Sequence, residues 1–207
     1  MREKRWFPIF YMFVTTAFFS SIVIGFTQLT NEKVKANERL AFEKAVISVL
    51  PGLYQEEMNN SELHRTFTER VTEPDELSAG AYTLRQNGKI VAYALPISGQ
   101  GFWAPIKGVI GIKTDKKTIT TIAFYQQNET PGLGAEIAKP AFREQFKGKV
   151  ISVGDKPLSI KRPGSELSSS DVHAVTGATQ TSTRLEKIIN LALINWRQQL
   201  NKGNMAK

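Results

Sequence analysis

The sequence predicts an α+β protein: an antiparallel sheet with flanking helices, preceded by one N-terminal transmembrane helix. Three observations carry that expectation. Trp6 to Asn31 contains no Asp, Glu, Lys or Arg, and about 20 apolar residues suffice to cross a bilayer. The middle of the chain holds strand-like runs joined by turn signals, and helical-period segments stand before and after them. No βαβ alternation and no internal repeat is visible, which argues against a doubly wound sheet.

Taken in order, the first element is the membrane segment. Arg2, Lys4 and Arg5 precede it and Trp6 sits at its edge. The positive-inside rule therefore places the N-terminus in the cytoplasm and the chain after about residue 31 on the other, periplasmic side. A cleaved signal peptide would have an apolar core of about 7 to 15 residues and small residues at its cleavage site. Gly25-Phe26-Thr27-Gln28 offers no such site, so the expectation is a retained single-pass anchor in the cytoplasmic (inner) membrane. The division expected is 1–31 for the cytoplasmic terminus and anchor, 32–52 for a helical stalk, and 53–207 for an extracytoplasmic domain.

The stalk has Ala36, Leu40, Val46, Ile47 and Leu50 at helical spacing, and Pro51-Gly52 stops it. Tyr54 to Ser78 is acid-rich with little period, which predicts a long irregular connection with one short strand near Arg65 to Val71. Ala81–Arg85 and Lys89–Leu95 flank Asn87-Gly88, the strongest short hairpin signal. Ile106–Lys113 and Thr118–Tyr125 flank Thr114-Asp115-Lys116-Lys117 as a second hairpin. Between the hairpins, Ser98 to Pro105 reads as a glycine-rich turn carrying Phe102 and Trp103, and Gln126 to Glu136 reads as another loop. Pro140 to Phe146 suits a short helix closed by Gly148. Val150–Val153 and Leu158–Lys161 read as short strands, and Leu185 to Leu200 as a closing helix.

Composition excludes several chemistries. With zero cysteines there is no disulfide, thiolate site or cysteine nucleophile. His64 and His173 stand far apart, so no transition-metal site is expected. No Gly-x-Ser-x-Gly elbow is present, and Gly132-Leu133-Gly134 lacks the third glycine of a dinucleotide fingerprint. No catalytic residue is expected. The formal charge of +8 comes from scattered Lys and Arg rather than a dense block, which fits a basic surface near anionic headgroups and not a nucleic-acid partner.

The remaining candidate is the junction entering the closing helix. Thr176, Thr179, Thr181, Ser182 and Thr183 crowd it, where a helix offers unpaired N–H groups and the positive end of its dipole. One reading is plain capping, with Thr183-x-x-Glu186 as a capping box and Gly177 in a turn. One cap accounts for one hydroxyl, and the surplus favours an anion site.

Thr176-Gly177-Ala178-Thr179-x-Thr181-Ser182 resembles the [Ser/Thr]-Gly-Ala-Thr-x-Thr-Ser motif of the FMN-binding domain family, found in the G subunit of the Rnf electron-transport complex and the C subunit of the sodium-pumping NADH:quinone reductase. Gly99-x-Gly101-Phe102-Trp103 and Glu129-Thr130-Pro131-Gly132-Leu133-Gly134 are similar to two further motifs of that family, in the same order. The resemblance implies FMN joined by a phosphoester bond to Thr179, attached by a separate flavin transferase that uses FAD. It implies a cofactor seat made by Thr176, Gly177, Ala178, Thr181, Ser182, Phe102, Trp103, Glu129, Thr130, Leu133 and Gly134. It also implies an electron relay in an Rnf-type ion-translocating complex, to which the short chain points. The alternatives are a component like that of the quinone reductase, a stand-alone FMN carrier and a non-covalent binding or scaffold domain. One departure stands in the motif: the family has an acidic residue six positions before the modified threonine, where this chain has His173, with Asp171 two residues earlier.

Overall fold

The computed structural model describes residues 6–205. The chain divides into two compact units, Met1–Arg39 and Leu40–Lys207. The division falls within one helix, α1 (Trp6–Val49). Its N-terminal part is long and apolar enough to cross a membrane. Ser21, Thr27 and Thr30 donate their hydroxyls to the carbonyls four residues earlier at 2.7, 2.8 and 2.9 Å, and Thr15 does the same to Tyr11. Such back-bonding lets hydroxyl residues sit in a lipid-spanning helix without unsatisfied polar groups. Arg2, Lys4 and Arg5, on which the expected orientation rests, lie outside the described residues.

The second unit is built on a five-stranded antiparallel meander: β1 (Val71–Thr72), β2 (Tyr82–Gln86), β3 (Lys89–Gln100), β4 (Pro105–Lys113) and β5 (Ile119–Gln126), in that spatial order. Asn87 and Gly88 both take positive φ, 51° and 75°, as a two-residue turn between right-twisted strands requires. Alternation along β3 sends its side chains to two cores. Tyr93, Leu95 and Ile97 join the core beneath α4 (Thr179–Met205), with Leu185, Ile189, Leu193 and Trp196. Ala92 and Ala94 join a second core with Val46, Val49 and Leu50 at the end of α1 and Leu63 of α2 (Asn60–Arg70). The sheet is thus covered on both faces, as the period of two in its strands demands.

Several expectations are corrected. Arg65 to Val71 is mostly helix, because Asn59 caps the Ser61 and Glu62 amides while Glu62 returns to the Asn59 amide, a full capping box. β3 runs on through Ser98-Gly99-Gln100 into the expected turn, so Gln100 pairs with Pro105. Gly99 permits this, since a Cβ there would lie 2.6 Å from Ile188 Cγ1. Val150–Val153 makes no strand. Only Val150 pairs, in a single antiparallel bridge to Thr118 closed by the Ile119 amide on Lys149 and the Ile151 amide on Lys117, while the Val150 and Ser152 amides turn to Ser169 and Pro157 and the ladder goes no further. β6 (Ser159–Lys161) falls within an expected strand, but it pairs in parallel with β7 (Asp171–His173), a stretch read as loop. Pro140 to Phe146 divides into α3 (Pro140–Arg143) and a 3₁₀ turn.

Candidate functional site

Three sequence-distant loops meet at the N-terminus of α4. The first closes the β3–β4 hairpin, where the Gly101 amide donates to the Ala104 carbonyl at 2.9 Å. The second is a tight turn in which the Leu133 amide donates to the Thr130 carbonyl at 3.1 Å, with Gly132 at φ 75°. The third has the same form: Ala178 donates to the Val175 carbonyl at 3.1 Å, with Gly177 at φ 76°. Glycine serves at that position because the left-handed backbone costs it nothing. A Cβ on Gly177 would also come within 2.9 Å of Leu133 Cδ2, so the second and third turns pack directly against each other.

Glu129, just before the second turn, ties the first loop to the first turn of α4. It is 5% exposed. Oε1 accepts the backbone N–H groups of Phe102 at 2.8 Å and Trp103 at 3.1 Å, and Oε2 accepts the Thr181 hydroxyl at 2.7 Å. Two glycines make room for the carboxylate. A Cβ on Gly101 would lie 2.5 Å from Glu129 Oε1, and one on Gly134 would lie 2.5 Å from Thr181 Oγ1 and 2.9 Å from Glu129 Oε2. Gln127 holds the Glu129 amide at 2.8 Å.

The loops enclose a cavity of about 180 Å³ lined by Phe102, Trp103, Glu129, Thr130, Leu133, Gly134, Gly177, Ala178, Thr179, Gln180 and Thr181. Phe102 and Trp103 pack edge to face at 5.0 Å. Both are exposed, as is Leu133, with Trp103 at 66%, which is unusual for an apolar cluster that no helix covers. Thr179 is the first residue of α4 and is exposed. It therefore stands beside the first-turn N–H groups, which have no partner within the helix, and in the positive field of the dipole.

Of the residues singled out from the sequence, ten line this cavity. Thr176 and Ser182 do not. Thr176 is exposed in the third turn and lines a neighbouring hollow with Gly132 and Gln145. Ser182 is buried, and its hydroxyl accepts the Val175 amide at 3.3 Å, bracing the turn from behind. Gln180 was not singled out, and no local pattern marks it. The capping box at Thr183 is corrected. The helix starts four residues earlier, with the Ser182 amide bonded to the Ala178 carbonyl at 3.0 Å. Glu186 instead accepts the Ile160 amide at 2.6 Å and pairs with Lys156 at 3.1 Å.

Upstream of the turn, the His173 amide donates to Gln145 Oε1 at 2.8 Å, and its Nε2 lies 3.0 Å from the Ser165 carbonyl. Asp171 is 4% exposed and held by Lys161 Nζ and the Ser168 amide, both at 2.8 Å. These contacts, the Lys161 ammonium foremost, pull its carboxyl down to about 2. Asp171 is thus committed to holding β7 against β6.

Residues 101–194 match the model of the FMN-binding domain family. Over 111 residues the chain is 45% identical to the C subunit of the Na(+)-translocating NADH-quinone reductase of Chlamydia pneumoniae, a match covering 54% of this chain and 34% of that protein. It is 33% identical over 112 residues to the same component of Vibrio alginolyticus, covering 53% of this chain and 44% of the relative. The matches span less than half the length of these curated relatives. The crystal structure of the corresponding Na(+)-translocating NADH-quinone reductase component from Parabacteroides distasonis superposes with a TM-score of 0.68 at 24% identity, over 82% of this chain and 96% of that one. At that identity the likeness establishes the fold.

Proposed function

From a chain that carries an FMN-binding domain over residues 101–194, we propose a membrane-anchored flavoprotein resembling the C subunit of the sodium-translocating NADH-quinone reductases. Its FMN is joined by a phosphoester to Thr179 and passes electrons between other membrane subunits. The names of the relatives favour this component over the Rnf-type one expected first.

The observation that carries the reading is the meeting of three motifs, far apart in sequence, around an exposed Thr179 and an exposed aromatic wall. The residues suit FMN. A phosphoester on Thr179 retains a negative charge, and the amides at the start of α4 are oriented to receive it. Phe102, Trp103 and Leu133 present apolar surface for a flat ring, and Thr130 and Gly134 line the same cavity. Gly177 and Ala178 keep bulk away from the attachment point, Thr181 fixes the first turn of the helix, and Thr176 and Ser182 flank and brace the loop. Bound there, FMN supplies reversible one- and two-electron redox chemistry.

The cavity of about 180 Å³ is smaller than the roughly 300 Å³ at which ordinary small-molecule sites begin. A tethered flavin therefore keeps part of its surface outside, open to a neighbouring protein, as a relay requires. The threonine hydroxyl is a weak nucleophile without an adjacent base, so attachment calls for a separate flavin transferase with this protein as its substrate. The same reading places the N-terminus in the cytoplasm and residues 53–207 in the periplasm.

The test is flavin fluorescence on a denaturing gel, with intact mass, of the protein from its native host. The wild type is expected to fluoresce and to carry one FMN, and Thr179→Ala to do neither. Flavin released on denaturation would support the non-covalent alternative, and a colourless wild type would remove the flavoprotein reading.

A further inference from the structure

Glu129 stands among residues implied as cofactor contacts, yet both its oxygens are already engaged by the protein. Each oxygen serves a different part of the site. Oε1 takes two consecutive backbone N–H groups from the loop bearing the aromatic wall, and Oε2 takes the hydroxyl of a residue in the first turn of α4. Those partners are 27, 26 and 52 residues away in the chain. No direct hydrogen bond between the aromatic loop and the start of α4 is present among the described residues, so the carboxylate is their polar link. Gly101 and Gly134 show how closely the protein is fitted around it, since a methyl on either would collide with the carboxylate.

We propose that Glu129 is a positioning residue. It locks the Phe102–Trp103 loop to the first turn of α4, so that the ring-facing wall and the Thr179 hydroxyl are held in one register. The inference rests on the proposed flavin site but concerns a contact made without any cofactor. Physically, a buried carboxylate taking three donors gives short, charge-assisted bonds in a low-dielectric setting, the kind that resist rearrangement. The Thr179 phosphoester and the aromatic wall act on opposite ends of one tethered molecule. A loop free to shift by an ångström would leave the flavin attached but unseated, or the hydroxyl misaligned for attachment.

The variants Glu129→Gln, Glu129→Ala and Thr181→Val separate this role from simple support of the fold. Glutamine keeps an oxygen for both backbone N–H groups and offers an N–H to the Thr181 oxygen, whereas alanine leaves all three donors unpaired. Thr181→Val keeps the side-chain shape and removes one bond. Full-length protein is purified from the native host, and two quantities are measured: covalent flavin per polypeptide, and amide hydrogen exchange at residues 102 and 103. Glu129→Ala is expected to speed exchange at both amides by about tenfold or more and to cut flavin content by a similar factor, as loss of bonds to a charged group implies. Glu129→Gln is expected to restore both to within about twofold of wild type, given a retained acceptor. Thr181→Val is expected to lower flavin content while leaving the two amides protected.

Wild-type exchange and flavin content in Glu129→Ala would overturn the proposal. So would a glutamine variant as impaired as the alanine one. Should Glu129→Ala fail to fold, Thr181→Val decides: full flavin content in that variant counts against the lock. A wild type without covalent flavin would defeat the proposed function, while the exchange measurements would still decide whether Glu129 clamps the loop.

Discussion

At the scale of single residues, two carboxylates show how burial and partners assign work. Glu129 and Asp171 are both nearly buried, the first bonded through both oxygens and the second through Oδ2 alone, but one faces the cavity and the other fastens β7 to β6. Asp171 yields a pH prediction. Its carboxyl is held down to about 2 from 3.8, so it contributes stability that is fully present above about pH 4 and is lost as pH falls through 2. The span of the shift corresponds to about 2 kcal/mol. Asp171→Asn is expected to lower unfolding free energy by about that amount at pH 7 and to converge on wild type near pH 2, as read from urea titrations across that range. Gly177 is legible in the sequence because a turn with positive φ is a local need, whereas Gly134 is required by Thr181, 47 residues along the chain. The use made of Glu129 was not legible. Its partners lie on other elements, and nothing within a few residues of it reports them.

At the scale of elements, legibility followed how local the determining forces are. The Asn87-Gly88 hairpin and the strands around it were readable because turn chemistry and a period of two act within a few residues. α2 carries its capping box, Asn59 with Glu62, and its Leu63 and Phe67 spacing in the sequence, but the surrounding acidic residues mask so short an amphipathic pattern, and the expectation there is irregular chain. β7 and the parallel pairing of β6 had no local signal, since β7 is three residues whose partner lies across the connection 162–170. α2 also supplies a prediction. His64 Nδ1 lies 2.8 Å from Glu43 Oε2, and Glu43 is 1% exposed at the end of α1. His64→Ala takes a partner from a buried carboxylate and is expected to cost about 1–3 kcal/mol, measured as a shift in the thermal or urea midpoint. His64→Gln, which keeps a donor, is expected to recover part of it.

At the scale of the whole molecule, the proposed function requires a redox domain tied to a membrane. The apolar part of α1 is suited to that task, with its hydroxyls satisfied inside the helix. Alkaline carbonate washing is expected to leave the full-length protein in the membrane pellet, and a reporter fused to the C-terminus is expected to be active only if it works in the periplasm. Release by carbonate would argue against a spanning anchor, and a cytoplasm-active reporter would reverse the proposed orientation. The sequence by itself determined the apolar helix, the antiparallel sheet, the two hairpins and the hydroxyl-rich junction. Each arises from composition, period or turn chemistry acting over a few residues. Only the tertiary structure decided that one buried carboxylate ties the aromatic loop to the first turn of α4, that the helix begins at Thr179 rather than after Thr183, and that Asp171 serves the fold. Those outcomes depend on which surfaces meet when the sheet is covered on both faces, and a chain read residue by residue does not carry the distances between them.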